Sequence, residues 1–134
     1  MKRLLSTVIL ILVLITGCST NDTVTITADR NSYTPLMSSA QGITLTPNFE
    51  TKTNYKNLVY HWETSEGEFI GIGKEVNNQG EAVVWSAVED DKIAEIKNDF
   101  DIKLEVIESE SKNVLAAAKI TITTLDNGFY SIKE

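Results

Sequence analysis

Phe100-Asp101-Ile102-Lys103-Leu104-Glu105-Val106 decides the fold class. Its apolar residues sit at every second position, with charged residues between them. Successive side chains on an extended chain point to opposite faces, so this stretch can bury one face only as a strand. A helix would scatter the same residues around its circumference. Downstream, Val114, Ala116, Ala118, Ile120 and Ile122 alternate with Lys119, Thr121 and Thr123, after a turn over Ser109 to Asn113. Upstream, Leu58, Tyr60 and Trp62 share one face of the segment Leu58 to Thr64, while Val59, His61 and Glu63 take the other.

The same period recurs in shorter pieces. Thr23 to Ala28, Ile43 to Thr46, Glu68 to Ile70 and Glu81 to Trp85 all read as strands, on β-branched and aromatic content. Ser65-Glu66-Gly67 reads as a tight turn, and Asn77-Asn78-Gln79-Gly80 as a loop. Strands in succession with turns between them indicate a sandwich or barrel rather than alternating strands and helices. Ser86-Ala87-Val88-Glu89 breaks the period with the form of a helix capping box. Acidic residues then follow where a helix start favours them, and Ile93 and Ile96 lie one turn apart. The expectation is an all-β, immunoglobulin-like antiparallel β-sandwich of about seven strands over residues 23–125, with one short helix before the penultimate strand. Residues 126–134 are expected to form a C-terminal tail that frays or packs back through Phe129 and Ile132.

The first residues carry a different signal. Met1-Lys2-Arg3 is positive, and Leu4 to Ile15 is a charge-free run of twelve. A secretory signal core spans about 7–15 apolar residues, whereas a membrane-spanning helix needs about 20. Leu14-Ile15-Thr16-Gly17-Cys18 resembles the bacterial lipobox. That resemblance implies diacylglyceryl transfer to the Cys18 sulfur, cleavage between Gly17 and Cys18, and acylation of the new amine. Residues 1–17 are then a lipoprotein signal peptide, and residues 18–22 a lipidated tether too short to lift the domain far from the bilayer. The expected address is the extracytoplasmic face of a cell membrane, with no cofactor beyond the covalent lipid on Cys18.

Without residues 1–17 the chain keeps 10 basic and 19 acidic side chains, a net charge of −9. Such a surface repels phosphate backbones, so nucleic acid is set aside as a partner. A single cysteine excludes an intrachain disulfide and a cysteine-based zinc cage. His61 is the chain's one histidine, which weighs against a histidine-based metal site and leaves no Ser-His or Cys-His signature. Gly71-Ile72-Gly73-Lys74 lacks the upstream Gly and following Ser or Thr of a phosphate loop. No catalytic set assembles, and the chain is expected not to be an enzyme.

Tyr60-His61-Trp62 with Glu66-Gly67, Val83-Val84-Trp85, the Phe100 to Val106 strand and Lys119-Ile120-Thr121-Ile122 occur in an order that resembles the polycystic-kidney-disease-type branch of immunoglobulin-like domains. The resemblance spans residues 23–124. It departs from the family at the turn after Trp62, where Glu63-Thr64-Ser65-Glu66-Gly67 replaces an Asp-rich segment. The paired cysteines of antibody domains are also missing, so Trp62 is expected to pack on aliphatic side chains. The likeness raises calcium as a ligand, with Asp90, Asp91, Asp99 and Asp101 as the oxygen donors. Trp62 and Trp85 are expected in the core, and Tyr33, Tyr55, Phe129 and Tyr130 on the surface as contacts for a partner. These features together point to a membrane-tethered, non-enzymatic interaction module with a protein partner in the envelope, the loop Glu50 to Asn57 being its expected contact. The alternative is an accessory or sensor subunit that binds a small ligand or calcium.

Overall fold

The computed structural model describes residues 21–37 and 41–133. The seven expected strands all form. They are β1 (Thr23–Ala28), β3 (Ile43–Glu50), β4 (Leu58–Thr64), β5 (Glu68–Phe69), β7 (Val83–Ser86), β10 (Phe100–Glu108) and β11 (Val114–Thr124). Five more short ones join them: β2 (Ser32–Tyr33), β6 (Glu75–Asn78), β8 (Val88–Glu89), β9 (Lys92–Ile93) and β12 (Tyr130–Lys133). Two antiparallel sheets face each other, ordered β1-β3-β7-β5 and β2-β12-β11-β10-β4-β6. The result is an all-β sandwich compatible with an immunoglobulin-like fold.

The alternation of β10 sets the layer between the sheets. Ile102, Leu104 and Val106 are fully buried, and Phe100 nearly so. β10 is held on both sides, pairing Leu104 with Ala118 of β11 and with Trp62 of β4. A strand with neighbours on both edges has every backbone polar group satisfied, so this is where the larger sheet is anchored.

Two aromatic contacts tie the sheets together. Trp85 of β7, fully buried, reaches Phe100, Tyr130 and Tyr33 of the other sheet at centroid distances of 5.3, 5.6 and 6.1 Å. Its indole N–H donates to the Glu66 carbonyl at 2.8 Å. Trp62 of β4 meets Phe69 of β5 at 6.3 Å in an edge-to-face arrangement. Its expected aliphatic setting therefore includes an aromatic ring, which favours that geometry through its quadrupole.

Gly67 lies over the first of these contacts. Its φ is +69°, and a Cβ there would come within 2.4 Å of the Ser86 carbonyl oxygen and 2.6 Å of the Trp85 indole nitrogen. Only glycine fits both the backbone conformation and the space.

The expected helix after Ser86 is replaced by a hairpin. β8 and β9 pair Val88 with Ile93 and Glu89 with Lys92. Asp90 and Asp91 between them have φ of +48° and +63°, the positive values that a two-residue hairpin turn requires. Half of the capping box persists, since Ser86 Oγ accepts from the Val88 N–H and also shares a hydrogen bond with the Tyr33 hydroxyl. The other half is engaged elsewhere, Glu89 Oε1 accepting from the Gly67 N–H and from Lys74 Nζ. Cross-strand β-branched and opposite-charge pairs complete the hairpin. Ile93, at 52% exposure, has no buried face to offer a helix.

The segment expected as a tail also belongs to the sheet. After the turn Asp126–Gly128, β12 pairs with the end of β11 and with β2. Tyr130, rather than Phe129, points into the core. Tyr33 and Tyr130 are consequently 3% and 5% exposed and offer no surface to a partner, contrary to the expectation. Tyr33 has no local apolar pattern around it; β2 becomes a strand by pairing with β12, which β11 holds on its other edge.

Candidate functional site

The two ends of the sandwich differ. β1 starts at Thr23 opposite Glu50 of β3. The Tyr55 hydroxyl donates to Asp22, and the Ser109 N–H to the Asn57 carbonyl. The start of the described chain, the loop Glu50 to Asn57 and the β10–β11 turn therefore share one end. The other end carries the β11–β12 turn, the segment after β2 and the β8–β9 hairpin. Eleven residues of β11 separate the ends by about 35 Å at roughly 3.3 Å per residue.

Apolar side chains reach solvent at that far end. Leu36 and Met37 are 68% and 53% exposed, and Leu125 and Phe129 are 48% and 37%. Leu36 approaches the β11–β12 turn closely, its Cδ1 3.4 Å from where a Cβ on Gly128 would sit. The sequence reading placed Phe129 on the surface but missed Leu36 and Leu125. Leu36 follows Pro35 in the turn after β2 and Leu125 follows the last residue of β11, and only the tertiary position turns them outward.

Gly17 and Cys18, the expected cleavage and lipidation residues, lie outside the described residues. Among the described residues no helix is long and apolar enough to cross a membrane.

Of the expected calcium donors, Asp99 and Asp101 each sit beside a threonine and a lysine. Asp101 Oδ1 accepts from Thr121 Oγ1 at 2.6 Å and Oδ2 lies 3.3 Å from Lys119 Nζ. Asp99 accepts from Thr123 Oγ1 at 2.7 Å and lies 3.5 Å from Lys133 Nζ. Asp90 and Asp91 form the hairpin turn instead. Among the described residues these four aspartates do not make a group of three donors, whereas His61, Glu63 and Glu75 do, with ligand atoms all within 4.8 Å of one another.

That second group is built by register. His61 and Glu63 lie two apart on β4 and share its outer face, and Glu75 stands directly opposite Glu63 on β6. Asn77 stands opposite His61, and its Oδ1 is 2.7 Å from His61 Nδ1. Lys103 and Glu105 of β10 flank Glu63 and His61 from the other side. No protein-family model matches this chain, and no curated protein or solved structure is significantly similar to it. The site has to be read from its own chemistry.

Four carboxylates are held below their ordinary range by hydrogen-bond donors. Arg30 acts on Asp29, Lys74 on Glu89, Thr123 on Asp99 and Thr121 on Asp101, in each case more strongly than burial opposes it. A depressed native pKa means that the unfolded chain takes up protons first as pH falls. These groups therefore stabilise the fold above the ordinary carboxylate range, and that contribution disappears as pH drops through their lowered values. The urea midpoint is expected to be level from pH 8 to about 5 and to fall below about pH 4. Asp101→Asn should flatten part of that fall; a midpoint that rises on acidification would contradict the assignment.

Proposed function

We propose that the chain is a lipid-tethered, non-enzymatic interaction module of the bacterial envelope, fixed to the membrane at Cys18 and presenting its far end to a protein partner. The lipobox-like run Leu14 to Cys18 supports the anchor. An immunoglobulin-like domain of the polycystic-kidney-disease type is the finer reading of its sandwich.

The observation that carries the orientation is where the chain enters the fold. Only Ser19 to Asp22 separate Cys18 from β1, a reach of about 14 Å when extended. The end bearing Thr23 then lies against the bilayer, together with the loop Glu50 to Asn57. That loop is a poor place for a partner to dock. The opposite end, with Leu36, Met37, Leu125 and Phe129, projects away from the lipid. Exposed apolar side chains grouped on a surface this acidic mark a contact.

A photo-crosslinker at Leu36 or Phe129 is expected to capture a discrete partner from intact envelopes, and one at Lys52 or Lys56 is not. Leu36→Asp together with Phe129→Asp should abolish capture by a crosslinker placed at Asn127. Failure of every far-end position to capture a protein would overturn the reading.

A further inference from the structure

We propose that His61, Glu63 and Glu75 form a binding site for a divalent first-row transition-metal ion of the zinc class, positioned by Asn77. This goes beyond the tethered-module reading and does not depend on it.

The case begins with the β4–β6 register. Glu63 and Glu75 stand directly opposite each other, and like charges in that position destabilise a strand pair. Lys103 faces Glu63 from β10, on the other side; toward β6 one carboxylate meets another. A cation between them converts that repulsion into attraction. His61 brings a third ligand on the same face, one alternation from Glu63, and the three ligand atoms already lie within 4.8 Å of one another. An ion bound at about 2.1 Å spans two ligands at most about 4.2 Å apart. Small side-chain rotations suffice to close the site.

The Asn77 contact supplies the orientation that imidazole ligands need. With the amide oxygen accepting, His61 Nδ1 is the donor of this hydrogen bond, which leaves Nε2 as the ring nitrogen open to a metal. A hydrogen bond on the second ring nitrogen holds the tautomer and raises ligand basicity. The pairing of His61 with Asn77 and of Glu63 with Glu75 comes from one ladder, so ligands and positioning residue are set by the same backbone. One imidazole with two carboxylates suits zinc and its neighbours. Calcium takes six to eight oxygen ligands, and this group presents two carboxylates and a nitrogen. Three protein ligands also leave a coordination position for water or for a group on another molecule.

His61 being the single histidine makes the test direct. The full chain, isotope-labelled at histidine and held in detergent, is titrated with zinc chloride and separately with calcium chloride while the imidazole signals are followed. Zinc bound at Cys18 leaves those signals in place, so the thiol does not confuse the result. Zinc is expected to shift them saturably and calcium to leave them unmoved. Glu63→Gln and Glu75→Gln, both at exposed positions, should each weaken zinc binding about tenfold or more, and Asn77→Ala about tenfold. Retained tryptophan dispersion in each variant shows that the fold persists. Imidazole signals unmoved at roughly millimolar zinc, or equal zinc affinity in the wild type and both Gln variants, would overturn the site.

Discussion

Trp85→Ala is expected to lower the unfolding free energy by about 4 kcal/mol, within the usual range for emptying a buried tryptophan site. Trp85 has no solvent exposure and stands between the sheets, touching Phe100 and Tyr130 from the larger one. Truncation leaves a cavity that those rings cannot fill without giving up their own contacts. It also removes one of the two donors to the Glu66 carbonyl, leaving the Thr64 hydroxyl as the other, in the turn that Gly67 closes. A domain of this size has about 5–15 kcal/mol to lose, so the variant should approach the limit of folding. Urea denaturation gives the measurement, and with a slope of about 1–3 kcal/mol per molar the midpoint should drop by about 2 M. Trp85→Phe keeps one six-membered ring but loses the pyrrole part of the indole and its hydrogen bond, and should cost less than alanine, about 2 kcal/mol. An alanine variant with less than about 2 kcal/mol of loss would show that the two sheets are not coupled through this ring.

Cys18→Ala has the largest effect expected on the state of the protein in the cell. On the proposed reading, the sulfur of Cys18 takes the diacylglyceryl group, and cleavage after Gly17 follows from that modification. One acyl chain binds a bilayer marginally, with a constant of about 10⁴ M⁻¹ for myristoyl, and a second makes attachment stable. Alanine offers no nucleophile, so neither lipid nor cleavage occurs. Intact mass should change from a chain starting at a lipid-bearing Cys18 to one that retains residues 1–17 and incorporates no labelled fatty acid. A wild-type protein with Met1 present and Cys18 unmodified would remove the tether and, with it, the orientation of the sandwich.

The hairpin at Asp90 and Asp91 shows where local reading gave way. Ser86-Ala87-Val88-Glu89 is a sound helix start in isolation. In the folded chain the Ser86 hydroxyl still accepts from the Val88 N–H, as a cap would, but it is shared with Tyr33, and the Glu89 carboxylate is drawn off by Gly67 and Lys74, residues distant in sequence. The strand β6 was hidden for a related reason. Glu75-Val76-Asn77-Asn78 holds one apolar residue and ends in loop-forming ones, and it is extended because β4 pairs with it. The metal-ligand group was hidden along with it, since Glu75 has no meaning for His61 until that pairing exists.

By itself, then, the amino-acid order determined which faces of β1, β3, β4, β10 and β11 turn inward, and hence the sandwich class. Alternation along a strand is a property of neighbouring residues, and burial follows from it directly. The charge-free run Leu4 to Ile15 and the residues that follow it to Cys18 are equally local signals. Tertiary structure alone decided which strands lie side by side: the β8–β9 hairpin, the closing of β12 on β2, the apolar far end, and the meeting of His61, Glu63 and Glu75. Strand neighbours are chosen by the free energy of pairing and packing between segments far apart in the chain, and no short window of residues contains that information.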